Sequence, residues 1–181
     1  SSVNVSAAAV TAANTGIDVL HSGTGTTEVS ASGLVTAMSG RGLFVRSSST
    51  SGKVTISATD VNAGGAGIEA TQSGFGALSI TATGTVTAAG NGITAVHDGA
   101  GGSVIAVQAA DVTGSNEGIL AFNRGAGFTT VTSTGTVTGL GSRGIYAIST
   151  DANAIFTTVN ANNVSGNLNG IKVIHASTGT G

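Results

Sequence analysis

Three histidines, His21, His97 and His175, each stand five residues after a glycine that opens a recurring Gly-Ile or Gly-Leu step. They share one column of a repeat, but successive members are three repeats apart. Strands stacked at ~4.8 Å would separate them by ~14 Å, whereas a metal needs imidazole nitrogens near ~2 Å. The positions between them, Ser47, Gln72, Asn123 and Ser149, add no strong ligand, so the histidines read as exposed turn residues. Asp60 and Asp111 also share a column, immediately before a recurring valine and with Thr85 between them. Their expected spacing of ~10 Å is near the upper end for an inverting glycosidase pair. Only Thr136 and Asn163 continue that column, with no aromatic platform or basic residue beside it, so these too read as solvated turn residues. Nucleophile motifs are missing: there is no cysteine, and no serine sits in a Gly-x-Ser-x-Gly elbow. The glycine-rich run Gly99-Ala100-Gly101-Gly102 precedes no helix pattern and is not expected to cradle phosphate. The sequence therefore predicts no catalytic residue, no metal and no cofactor.

Oppositely charged residues recur at equal offsets in adjacent repeats. Glu117 and Arg143 each stand one before the glycine, and Asp98 and Arg124 each stand six after it. Stacked repeats would bring each pair together, at well under ~1 kcal/mol if exposed.

The elements that must position these residues follow from periodicity. The glycines are Gly16, Gly42, Gly67, Gly92, Gly118, Gly144 and Gly170, at intervals of 25 or 26 residues. Each is followed by Ile17, Leu43, Ile68, Ile93, Ile119, Ile145 or Ile171, and two further on by Val19, Val45, Ala70, Ala95, Ala121, Ala147 or Val173. A second column is all valine: Val10, Val35, Val61, Val86, Val112, Val137 and Val164. A third holds Val5, Val29, Ile56, Ile80, Val107, Val131 and Val159. Within each segment apolar residues alternate with small polar ones, as in Ser79-Ile80-Thr81, which is the period of a strand with one buried face. No stretch holds a helical period. Leucine-rich repeats would need a Leu framework, left-handed hexapeptide helices recur near ~18 residues, and calcium-binding nonapeptides need Gly-Gly-x-Gly-x-Asp. The pattern predicts an all-β, right-handed parallel β-helix of seven rungs and three sheets over residues 1–181, roughly 30 Å long. The glycine column marks either a bend of positive φ or a place where no side chain fits. Phe128 and Phe156, both in Phe-Thr-Thr-Val, are expected to be a stacked core pair.

Composition agrees with this reading. Only 8% of residues are charged, against roughly 25% in an average soluble protein. The net charge of −2 offers no electrostatic attraction to nucleic acid or anionic membrane. No run approaches the ~20 apolar residues of a membrane helix, and no secretory signal is seen. The absence of an initiator Met suggests an excerpt or a processed product, and the ends fall at rung turns, so further chain or a neighbouring copy should cover them.

Outward positions form the most informative surface. Between and beyond the inward Ile and Ala, the later rungs carry Leu120 and Tyr146 in one column and Val96, Phe122, Ile148 and Ile174 in another. Asp18, Glu69, Arg46 and Thr71 occupy these columns earlier, so an apolar patch is expected across the C-terminal half. Exposed patches of this kind often mark contact surfaces; the alternative reading is a corner that turns the later side chains inward, or a patch covered by further chain.

The unit running from Gly84-Thr85-Val86-Thr87 through Gly92-Ile93-Thr94-Ala95 to Gly99, echoed at Gly135-Thr136-Val137-Thr138 and Gly144-Ile145-Tyr146-Ala147, resembles passenger domains of bacterial autotransporters and filamentous haemagglutinin-like adhesins. The resemblance spans all seven rungs and rests on core and turn positions. It implies export through the outer membrane by a C-terminal β-barrel that this chain does not contain, and a place outside the cell or on its surface. It further implies a non-enzymatic segment acting as rigid stalk and adhesive surface, whose partners are host-cell or neighbouring-cell surface proteins or glycans, or further copies. Two other functions fit the same pattern: a self-assembling filament subunit, and a polysaccharide-active enzyme using Asp60 and Asp111.

Overall fold

A computed structural model describes residues 1–48, 52–99 and 101–176; Ala100 of the glycine-rich turn lies outside them. The chain is a parallel β-solenoid with no helix among the described residues. The first three layers each contain three short strands: β1 (Val3–Ala7), β2 (Val10–Ala12) and β3 (Ile17–His21); β4 (Thr27–Ala31), β5 (Val35–Ala37) and β6 (Leu43–Ser47); β7 (Val54–Ala58), β8 (Val61–Ala63) and β9 (Ile68–Gln72). In the next four the first two segments fuse: β10 (Leu78–Ala88) and β11 (Ile93–His97); β12 (Val104–Gly114) and β13 (Ile119–Asn123); β14 (Phe128–Gly139) and β15 (Arg143–Ser149); β16 (Phe156–Gly166) and β17 (Asn169–His175).

Hydrogen bonding joins these into two sheets rather than the three expected. Sheet A runs β1-β4-β7-β10-β12-β14-β16 with β2, β5 and β8 attached, and sheet B runs β3-β6-β9-β11-β13-β15-β17. The reason lies in the backbone between the first two columns. There β10, β12 and β14 shift register, between Ala82 and Thr85, Ala109 and Val112, and Ser133 and Thr136, so the strand bends without leaving the sheet. With seven layers in each wall, the coil makes about six turns.

Alternation sets the interior. Val29, Ile56, Ile80 and Val131 are buried on sheet A, and Leu43, Ile68, Ile93, Ile119 and Ile145 on sheet B, beside the ladder Ala70, Ala95, Ala121 and Ala147. Each fully buried Val or Ile stabilises the stack by roughly 1.5–3 kcal/mol.

The glycine and valine columns are two halves of one contact. A Cβ built on Gly16, Gly42, Gly67, Gly92, Gly118 or Gly144 would come closer than 3.0 Å to a methyl of Val35, Val61, Val86, Val112, Val137 or Val164 in the following layer. It would come equally close to a backbone oxygen of that layer: Gly42, Gly67, Gly92, Gly118 and Gly144 supply their own, and for Gly144 the oxygens are those of Ser165 and Gly170. None of the seven glycines has positive φ. The column is glycine because the next layer's valine occupies the space a side chain would need.

Candidate interaction surface

Sheet B turns its second and fourth strand positions outward, and parallel pairing in strict register stacks them into two columns. The first reads Asp18, Phe44, Glu69, Thr94, Leu120, Tyr146, Lys172, and the second Leu20, Arg46, Thr71, Val96, Phe122, Ile148, Ile174. All six residues expected to form the patch lie on this one face. Val96, Leu120, Phe122, Tyr146 and Ile148 are half-buried and Ile174 is exposed. The face does not stop at the C-terminal half: Phe44 and Leu20 continue the same columns into the first two layers. Their offsets from Gly42 and Gly16 are the available signal, masked in the sequence by the charged neighbours Asp18 and Arg46. At 73%, Leu20 is the most exposed large apolar side chain described.

Cations gather on the aromatic rings of this face. The Arg41 guanidinium lies 4.3 Å from the Phe44 ring centre and that of Arg46 5.3 Å. Arg124 sits 4.5 Å over Phe122, Arg143 4.1 Å over Tyr146, and the Lys172 ammonium 5.6 Å from the same tyrosine ring. Five of the six basic residues in the chain are therefore on the sheet B wall; the other is Lys53. Three of the guanidinium groups are held a second time by a carboxylate in a neighbouring layer. Arg41 pairs with Glu69, Arg124 with Asp98, and Arg143 with Glu117 at 3.3 Å. The latter two pairs are those expected from equal offsets. Each is partly exposed, so its net contribution to stability stays below ~1 kcal/mol. Ring and carboxylate together restrict the arginine, which reduces the entropy lost when a partner immobilises it.

The histidine column is a different structure from the one expected. His21 and His97 are buried, not exposed, because strand alternation runs one residue further than the apolar pattern and turns the fifth position inward. The whole column, His21, Ser47, Gln72, His97, Asn123, Ser149 and His175, forms a polar ladder closing the corner after sheet B. His97 donates from Nε2 to the Gly76 carbonyl at 2.8 Å and accepts the Gly99 N–H on Nδ1 at 3.2 Å, which defines a neutral ring. Burial lowers its pKa below 6.5, against the smaller opposing effects of the Gly76 bond and the Asp98 charge. Asn123 takes the same role in the next layer, accepting Gly125 N–H at 3.0 Å and Ser103 hydroxyl at 2.7 Å. His175, in the last layer, is exposed, with Nδ1 3.0 Å from the Thr157 hydroxyl.

The aspartate column is likewise committed to the backbone. Asp60 Oδ1 accepts the Thr85 N–H at 2.8 Å, and Asp111 Oδ1 accepts the Thr136 N–H at 2.7 Å. A Cβ on Gly84 or Gly135 would strike these carboxylates. Each Gly-Thr-Val step thus follows an Asp-Val step because the glycine clears room for a carboxylate that caps the bend. Phe128 and Phe156 do stack, with ring centres 5.0 Å apart and planes 14° from parallel. They stack outside the core: Phe156 is 45% exposed, while the next residue in each strand, Thr129 or Thr157, points inward.

Among the described residues no three His, Cys, Asp or Glu side chains lie close enough to hold a metal ion. A shallow groove of about 320 Å³ follows the bend of sheet A, lined by Thr81, Ala82, Thr83, Gln108, Ala109, Ala110, Thr132 and Thr134, with no charged side chain. Compared with protein-family models, with curated proteins and with solved structures, the chain has no match.

Proposed function

We propose that this chain is a non-enzymatic display segment of an autotransporter-like protein outside the bacterial cell, a rigid stalk whose sheet B face makes adhesive contact. One observation carries the reading. Three of the six aromatic side chains, Phe44, Phe122 and Tyr146, and five of the six basic residues share one wall. Aromatic residues and arginine are the side chains enriched at protein contacts, and they dominate binding energy there. One outward column of sheet A, by contrast, reads Ser6, Ser30, Ser57, Thr81, Gln108, Thr132 and Asn160, and the aromatic stack of that wall, Phe128 on Phe156, is confined to the start of β14 and β16. Small hydroxyls and amides suit a solvated wall.

The resemblance of the Gly-Thr-Val and Gly-Ile-x-Ala steps to autotransporter passengers and haemagglutinin-like adhesins supports the same assignment. Membrane attachment would then come from a C-terminal barrel, and partners would be surface proteins or glycans of a host or neighbouring cell, or further copies. Against a role for Asp60 and Asp111 in glycan cleavage stands the use of an oxygen of each to accept a backbone N–H.

Phe122→Ser and Tyr146→Ser test the reading. Both side chains are only half-buried, so the variants should keep their β circular dichroism while attachment of chain-coated beads to host or bacterial surfaces falls at least tenfold. Undiminished attachment by the folded variants would remove this face from the account.

A further inference from the structure

We infer that the partner of the sheet B face is the same face of a second copy, lying antiparallel about a two-fold axis along β11; this rests on sheet B being a contact face. A closed two-fold contact must be self-complementary, and the two outward columns satisfy that test when the first layer meets the seventh. Asp18 then faces Lys172, Phe44 faces Tyr146, and Leu20 faces Ile174. A charge meets its opposite, a ring meets a ring, and the most exposed apolar side chain meets another exposed one. On the axis itself Thr94 and Val96 face their own copies, and both are small and uncharged, so two walls can approach closely there.

The remaining positions of the columns place Glu69 against Leu120, Arg46 against Ile148 and Thr71 against Phe122, which brings no like charges together within the columns. Glu69 is already satisfied by Arg41, and the Arg46 stem offers methylenes to Ile148. At the rims the charges close as neutral groups of four. The same operator sets Arg41 opposite Arg143 and Asp98 opposite its own copy, like against like, and each of these charges is offset by the partner it already holds within its own chain, Glu69, Glu117 or Arg124.

Size sets the strength of the pairing. Seven layers at ~4.8 Å and five-residue strands at ~3.3 Å per residue give a face of about 30 by 16 Å, roughly 500 Å² per copy and about 1,000 Å² in all. That is the range of weak or transient association, which suits adhesion built from many copies acting together.

Sedimentation of the 181-residue chain over a concentration series tests the pairing. A reversible monomer–dimer equilibrium is expected, with association weakened roughly tenfold by Asp18→Lys or by Lys172→Asp, since each change turns two attractive contacts of the dimer repulsive. The double exchange Asp18→Lys with Lys172→Asp should restore wild-type association, and so should an equimolar mixture of the two single variants. A chain that stays monomeric at every concentration overturns the pairing, as does a dimer indifferent to both reversals. If the chain stays monomeric while Phe122→Ser still abolishes attachment, the face binds a foreign partner and only the pairing is wrong.

Discussion

Gly92 and Val112 belong to different layers yet form one packing unit, and the same holds in five other places along the chain. A β-carbon at position 92 meets both the Val112 methyl and the Gly118 carbonyl oxygen. Gly92→Val should therefore cost at least the roughly 1–3 kcal/mol of ordinary overpacking. Gly92→Ala combined with Val112→Ala should recover some of the loss of Gly92→Ala alone, but not all of it, because the carbonyl stays in place. Denaturant unfolding of the four members of that double-mutant cycle measures the coupling, and strict additivity would refute the shared contact. His97 gives a second prediction. Its folded pKa is lowered, so the unfolded chain binds the proton more tightly; the neutral ring's contribution is fully present above about pH 6.5 and shrinks as pH falls below it. The unfolding midpoint should drop between about pH 7.5 and about pH 5, and His97→Gln, the residue type that Gln72 supplies one layer earlier, should remove that component of the slope. An unchanged slope would show that His97 is not held neutral. The valine and glycine columns are legible from spacing alone, but their mutual contact is not, since it joins residues about 20 apart whose types do not vary. The histidines mislead for a chemical reason. A polar residue after an apolar run resembles a turn, whereas the backbone continues its alternation and buries the ring on carbonyl and amide partners.

Strand elements are legible wherever side-chain alternation reports them. Alternation fixes which face is inside, and so it yields both the inward columns and the outward ones. It carries no record of whether two segments remain hydrogen-bonded to one sheet through a bend, which is why two sheets stand where three were expected. The bend has its own sequence mark, visible only once the backbone is known: Asp60 followed in the next layer by Gly84-Thr85, and Asp111 by Gly135-Thr136. Asp111→Ala leaves the Thr136 N–H without its acceptor and should destabilise the chain by about 1 kcal/mol, while Asp111→Asn keeps an oxygen in reach and should cost less. Thermal unfolding of the two variants distinguishes this from a solvated turn, where both changes would be silent.

As a whole the molecule is a one-dimensional stack, each layer covered by its neighbours. Inward residues of the last described layer show the consequence: Ile171 and Val173 are 45% and 44% exposed, whereas Ile145 and Ala147, one layer earlier, are fully covered. Hydrogen exchange on the 181-residue chain should find the strongest protection in β9 to β13 and the weakest in β1 and β17. Uniform protection would contradict nearest-neighbour stabilisation. On such a rod the proposed adhesive contact belongs to one wall, and the absence of cysteine makes that wall directly addressable. The deciding measurement couples a bulky maleimide to a single introduced cysteine, at Thr94→Cys in the middle of sheet B or at Gln108→Cys on sheet A, and compares attachment of labelled and unlabelled beads. The label at position 94 should abolish attachment, and the label at position 108 should leave it intact. Attachment that survives the label at 94, or that is lost equally with the label at 108, would contradict the assignment of contact to sheet B.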